Sequence, residues 1–215
     1  MDKKTFDYFL SGDSEIDFVI QKFDINITGI LHIGAHECQE LDTYGQYVSS
    51  ENILWIEAYP PAYEKSKEIP GINIINELVS DVNGARKAFN IFNNTKLNSE
   101  LKLIDSKEIA RGHKIVDTRE LISKTLKSIY SEYNIPSDKY NFLALDTQGT
   151  ELSVLKGMGN LLNSFQSLFI EVNEKEIYED CSRLSDIDEY MFSNGFERPY
   201  IRLINNYGNA LYVKK

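Results

Sequence analysis

Asp146, Glu171 and His36 are the side chains best suited to take a proton from a hydroxyl group, and each follows a short apolar run. A carboxylate or an imidazole acts as general base when it lies within hydrogen-bond reach of that hydroxyl, and His36 has the intrinsic pKa nearest neutrality. Sequence alone leaves the three unranked. Glu57 stands 23 residues beyond Gly34, the separation at which a carboxylate accepts both hydroxyls of a ribose in a strand, turn and helix nucleotide site. Ser80 and Asp81 end the next apolar run, where Asp81 could accept from an adenine amino group. Glu171 with Asn173 could hold a sugar diol, Gln148 lies in the turn after Asp146, and Tyr178 is a further acceptor-side candidate. A carboxylate at a strand end can also serve only as a helix cap; Asp146, before a Gly-Thr turn, is read as functional. His32 reads as a buried, hydrogen-bonded strand residue. His32 and His36 are four apart but straddle a strand end and a turn, so no metal site is expected.

These groups need a scaffold that brings strand ends to one edge. Apolar runs at 29–33, 53–56, 72–79, 142–145 and 168–170 read as strands buried on both faces. Between them, helical spacing is expected at 13–23 through Ile16, Val19, Ile20 and Phe23, and again at Leu41, Tyr44, Tyr47 and Val48. Further helices are expected after Pro60, from a Thr118 cap through Leu121, Ile122, Leu126, Ile129 and Tyr130, from Thr150 to Met158, and over 185–194. Residues 87–92 form a possible extra strand and 93–113 are irregular. The tail reads as two strands, 201–204 and 211–213, around an Asn/Gly loop, which makes an antiparallel hairpin. The expected fold is α/β: a Rossmann-like, mostly parallel sheet ending in a C-terminal antiparallel hairpin. One domain over 1–215 is expected, with an N-terminal helical extension at 1–28 and an insertion or lid at 83–117.

Composition narrows the partners. The chain has 215 residues, 23 Lys and Arg against 33 Asp and Glu, a net charge of -10 and a pI near 4.9. Nucleic acid is therefore not an expected partner, because phosphate neutralisation needs a basic footprint. No stretch approaches the ~20 apolar residues of a membrane span, and no long apolar region follows Met1, so a cytoplasmic location is expected. Cys38 and Cys181 lack CxxC spacing and are expected to be reduced thiols.

The first turn bears on the cofactor. From Gly34 it reads Gly-Ala-His-Glu-Cys-Gln, with one glycine where a dinucleotide site needs three for its pyrophosphate. S-adenosylmethionine has no phosphate and tolerates this, and a parallel sheet closing in a hairpin is typical of the methyltransferases that use it. A nicotinamide-dependent oxidoreductase is disfavoured on the same ground.

Leu31-His-Ile-Gly-Ala-His36, Trp55-Ile-Glu-Ala58, Asp146-Thr-Gln-Gly-Thr-Glu151 with Val154-Leu-Lys-Gly157, and Phe169-Ile-Glu-Val-Asn173 together resemble the FkbM-type methyltransferase family, in its motif order, from about Ile30 to Val213. The resemblance implies a class I methyltransferase sheet and an S-adenosylmethionine-dependent O-methyltransferase, often acting on a sugar or polyketide hydroxyl. A small-molecule or glycan acceptor is expected on that basis. On matching positions it implies that Gly34, Ala35, Glu57 and Asp81 surround the cofactor and that Asp146 lies at its methionine end or beside the acceptor. Flanking residues His32, His36, Ala58 and Ser80 join that set, and Ser99 matches a serine-bearing stretch that approaches the same pocket. The family usually carries Asp where this chain has His32, and Gly where it has Cys38. These two departures motivate the alternative of a cofactor-binding or structural module with the same fold and weak catalysis.

Overall fold

The computed structural model describes residues 14–215. The expected N-terminal extension before Ser14 lies outside the described residues. Its helical part is α1 (Glu15–Lys22), capped by Ser14 Oγ, which accepts from the Asp17 amide at 3.1 Å. Ile16, Val19 and Ile20 of α1 are buried against one face of the main sheet, beside Ile30, Ile53, Trp55 and Phe142.

Four apolar runs form the strands expected of them: β1 (Ile30–Ile33), β2 (Ile53–Ile56), β7 (Phe142–Leu145) and β8 (Ser167–Asn173). The first three are buried at every position, as strands covered on both faces must be. Seven strands make the main sheet in the order β3, β2, β1, β7, β8, β10, β9, where β3 is Ile74–Ile75, β9 is Phe196–Ile204 and β10 is Tyr207–Lys214. The pairs from β3 through β8 are parallel, whereas β10 runs antiparallel to both β8 and β9. The expected hairpin is therefore present, with its second strand inserted inside the sheet. Asn205 and Asn206, at φ 56 and 76, supply the left-handed pair that such a tight turn requires. The chain leaves β1 toward β2 and β3 and returns on the other side at β7, so the β1/β7 boundary is the switch point where open α/β sheets bind ligands.

Two expectations about the middle of the chain need correction. The run 72–79 is not one strand: β3 joins the main sheet, and β4 (Leu78–Val79) joins a second sheet of order β4, β6, β5. Between them Asn76 Nδ2 donates to the carbonyls of Glu57 and Ala58, at 2.7 and 3.2 Å, and ties the chain to the end of β2. Residues 118–124 are strand, not helix. They belong to β6 (Ile115–Lys124), which pairs antiparallel with β5 (Arg86–Phe92); long-range pairing here overrides the local spacing. The helix starts seven residues later, about two turns, as α5 (Leu126–Glu132), with Thr125 as its cap and Leu126, Ile129 and Tyr130 buried as expected. The remaining helices are α2 (Leu41–Tyr44), α3 (Pro60–Ser66), α4 (Ser106–Ala110), α6 (Glu151–Met158) and α7 (Leu184–Ser193). None of the described helices is long and apolar enough to cross a membrane.

Candidate active site

A pocket opens at the carboxyl ends of β1, β2 and β7, and residues of β4, β5 and the segment after β5 form its opposite wall. Its floor is the turn after β1. Gly34 has φ +85, and a Cβ there would lie 1.7 Å from the Asp146 carbonyl, so only glycine lets β1 and β7 end this close together. The amides of Gly34 and Ala35 both donate to the Ile56 carbonyl, at 2.9 and 3.2 Å, which clamps the turn onto β2. Glu57, one residue beyond β2, is buried and accepts from the His36 and Tyr59 amides on separate oxygens, each at 2.6 Å. Burial pushes its carboxyl up to about 7, against the opposing pull of those two amides. Each oxygen keeps a second lone pair for a ligand hydroxyl.

His36 is on the pocket wall, but both ring nitrogens are engaged: Nε2 with Thr95 Oγ1 at 2.9 Å and Nδ1 with Gln39 Nε2 at 2.8 Å. The Gln39 amide donates to Nδ1, so Nε2 carries the hydrogen that Thr95 accepts. Burial lowers the pKa of His36 and so favours its neutral form. His32 is buried as expected, stacked on Trp55 with ring centroids 5.1 Å apart and bonded through Nδ1 to the Tyr44 hydroxyl at 3.0 Å. Cys38 does not enter the pocket. It takes φ +55 and buries its side chain in the core beside Tyr44 and Trp55, where burial pushes the thiol up to about 12.

Asp146 ends β7 on the pocket wall, and Gln148 Nε2 bridges it to Glu171, donating to Asp146 Oδ1 at 2.6 Å and Glu171 Oε2 at 2.9 Å. Glu171 lies behind this bridge. Burial, then the Asp146 and Glu151 charges, raise its pKa well above the usual carboxylate range. Glu151 is fully buried and opens α6. Its Oε1 accepts from the amides of Thr147 and Gly149, each at 3.0 Å, which fixes the turn that carries Gln148. One oxygen from each of Asp146, Glu151 and Glu171 lies within 4.8 Å of the others.

Of the residues singled out from sequence, His32, Gly34, Ala35, His36, Glu57, Ala58, Asp146 and Gln148 line the pocket. Asp81 and Ser80 do not. Helix α6 packs so closely on Ser80 that a Cβ on Gly157 would lie 2.1 Å from the Ser80 carbonyl, and Ser153 Oγ then reaches Asp81 Oδ1 at 3.0 Å. The acid expected to meet adenine is thus bound to a helix instead. Ser99 is also off the wall: its Oγ donates to the Gln148 carbonyl at 2.8 Å and anchors the 93–101 segment to the Gln148 turn. Asn173 is buried at the end of β8, and Tyr178 is buried with its hydroxyl on Gln148 Oε1 at 2.6 Å, so both stand behind the wall. Glu40, Thr95, Asn98 and Glu100 line the pocket without having been singled out. Thr95 opens a single 3-10 turn and the other three are on irregular or turn segments, where hydrophobic spacing carries no signal. Glu151 was visible only as the last residue of the Asp-Thr-Gln-Gly-Thr-Glu motif.

A parallel sheet with this strand order, a reversed last strand and a ligand pocket at the β1/β7 switch point define the class I methyltransferase fold, which works on S-adenosylmethionine. Solved structures agree on the fold. Magnesium protoporphyrin IX methyltransferase from Synechocystis PCC 6803, solved with bound S-adenosylmethionine, matches 96% of this chain and 79% of its own at 8% identity and TM-score 0.52. A SAM-dependent methyltransferase from Aquifex aeolicus matches 93% of this chain and 88% of its own at 9% identity and TM-score 0.51. No curated protein matches the chain in sequence. The methyltransferase FkbM domain matches residues 32–198, and the chain belongs to that family.

The wall residues fit that cofactor. Glu57 can take a ribose diol, and Leu78, Val79 and Phe89 offer apolar surface for a base. Buried polar atoms with no hydrogen-bond partner among the described residues include Glu40 Oε2, Asn98 Nδ2 and Glu100 Oε1, all from residues on this wall. Glu40, Glu57, Glu77, Glu100 and Asp146 line the pocket against Lys96, a balance suited to a ligand with a sulfonium and an ammonium.

Proposed function

We propose that the chain is an S-adenosylmethionine-dependent O-methyltransferase acting on a hydroxyl of a neutral sugar, glycan precursor or similar small molecule, with Asp146 as the base. The observation that carries this reading is the Asp146–Gln148–Glu171 assembly. It sets one carboxylate on the pocket wall with a second carboxyl, raised in pKa by burial, behind it and an amide that fixes its orientation. When bound, the cofactor supplies an electrophilic methyl carbon on sulfonium. Glu57 would hold the ribose hydroxyls, and Gly34, Ala35 and Ala58 would let the nucleoside approach the ends of β1 and β2. Asp146 would accept the proton of the acceptor hydroxyl, and Gln148, bonded to both carboxyl groups, would hold it in place. Held acceptor and excluded water account for most of the rate expected of such a site. The acidic wall supports an uncharged acceptor over a phosphorylated one.

The test is transfer of isotope-labelled methyl from S-adenosylmethionine to a panel of neutral glycosides, phosphorylated sugars and amines, with the product read by its methoxy carbon resonance. Label on a neutral hydroxyl supports the reading. Label on amines alone overturns O-methylation, and tight cofactor binding with no transfer on the panel favours the weakly catalytic binding module.

A further inference from the structure

The acids on the pocket wall differ in what they already hold. Glu57 accepts two backbone amides, and Glu77 accepts from Lys124 Nζ at 2.8 Å and from the Tyr133 hydroxyl at 3.0 Å. Glu100 pairs with Lys87 Nζ at 3.1 Å, and Asp146 accepts from Gln148. Glu100 Oε1 lacks a donor, but that carboxylate is paired with Lys87 through Oε2, whereas Glu40 is paired with no Lys or Arg among the described residues. Glu40 Oε2 is shut off from solvent and has no hydrogen-bond partner among the described residues. The basic nitrogen that approaches it is His32 Nδ1, at 3.9 Å. That nitrogen is engaged with the Tyr44 hydroxyl, and burial of the ring, stacked on Trp55, favours its neutral form. The Glu40 side chain is 35% exposed, so the carboxylate meets water on one side and lacks a donor on the other, which a ligand can bring.

We propose that Glu40 receives the α-ammonium group of the cofactor's methionine portion, and so selects for ligands that carry the amino acid tail. An ammonium offers three donors and a full charge, which Glu40 Oε2 lacks from the protein itself. Neutral His32 flanks that position as a polar neighbour that does not repel a cation. The assignment rests on S-adenosylmethionine as the cofactor but not on the choice of acceptor or base.

Calorimetric titration of the full chain with two ligands tests it: S-adenosylhomocysteine, which has the ammonium, and methylthioadenosine, which keeps the nucleoside and thioether but has no amino acid. Glu40→Gln should weaken S-adenosylhomocysteine by about tenfold or more, the loss expected for a charge-assisted hydrogen bond, and leave methylthioadenosine unchanged. Glu40→Asp, which keeps the charge on a shorter stem, should fall between wild type and Glu40→Gln for the first ligand and leave the second unchanged. Equal weakening of both ligands would mean that Glu40 only shapes the turn, and would overturn the proposal. So would full retention of S-adenosylhomocysteine affinity in Glu40→Gln. Failure of the wild-type chain to bind either ligand would overturn the cofactor along with it, a result distinct from the other two.

Discussion

Tyr178 donates its hydroxyl hydrogen to Gln148 Oε1, so the amide nitrogen of Gln148 is the end that faces Asp146 and Glu171. Tyr178 therefore reaches the pocket wall only through Gln148. Tyr178→Phe removes the bond that orients the amide while keeping the ring in its buried place. Turnover should fall by about tenfold, the worth of one such hydrogen bond, with cofactor affinity unchanged. Unaltered turnover would show that the amide needs no such guide.

Asp146→Asn keeps the shape of the wall and removes the proton acceptor. Turnover should fall by about a hundredfold or more, within the usual range for a general base, while S-adenosylhomocysteine still binds. Comparison of single-turnover rates with calorimetric affinities checks this. An active variant would move the base elsewhere.

Glu57→Ala should weaken S-adenosylhomocysteine through loss of charge-assisted bonds worth about 1.5–3 kcal/mol each. The carboxyl of Glu57 stands at about 7 in the free chain, and the ribose hydroxyls are best accepted by its ionised form. Affinity should therefore rise between about pH 6 and pH 8 in the wild type, and Glu57→Gln should lose this dependence. A wild-type affinity that is flat across that range would reject the ribose assignment.

Burial raises both Glu57 and Glu151 to about 7 from the ordinary 4.5, so between those values the folded chain holds protons that the unfolded chain has released. Their contribution to stability is present in full below about 4.5, is lost as pH rises through 7, and is level above that. Each group contributes at most about 3 kcal/mol. Glu151→Gln removes one of the two, and the fall in melting temperature between about pH 5 and pH 8 should become shallower. An identical slope in the variant would contradict the raised Glu151 carboxyl.

The strands that carry the site were legible because they are buried on both faces, and continuous apolar runs such as Ile53–Ile56 have no competing reading once Glu57 and Pro60 close them. Glu57 and Asp146 followed from those ends. The second sheet was not legible: β6 is largely exposed, so its apolar residues lack a two-residue alternation, and Leu121, Ile122 and Leu126 mimic helical spacing. Its identity rests on pairing with β5, across an intervening 93–114 segment that local pattern does not anticipate. Asp81 misled for a related reason. Its strand end was sound, but its side chain is claimed by Ser153, brought near by the fit of Gly157 against Ser80. Glu40 escaped notice because its significance is a missing partner, which no sequence pattern displays.

The turn at 147–149 is fastened from four directions along the chain: Ser99 holds the Gln148 carbonyl, Glu151 the amides, Tyr178 the Gln148 side chain and Ser182 the Gly149 carbonyl. The wall around Glu57, by contrast, is built from residues 32–58 and 77–89. During synthesis the turn that carries Gln148 would gain its last tie only when residue 182 had left the ribosome. Because β1 also ends against Asp146, neither half of the wall is complete in a chain that stops before 146, and the Gln148 turn is fully tied only once residue 182 is present.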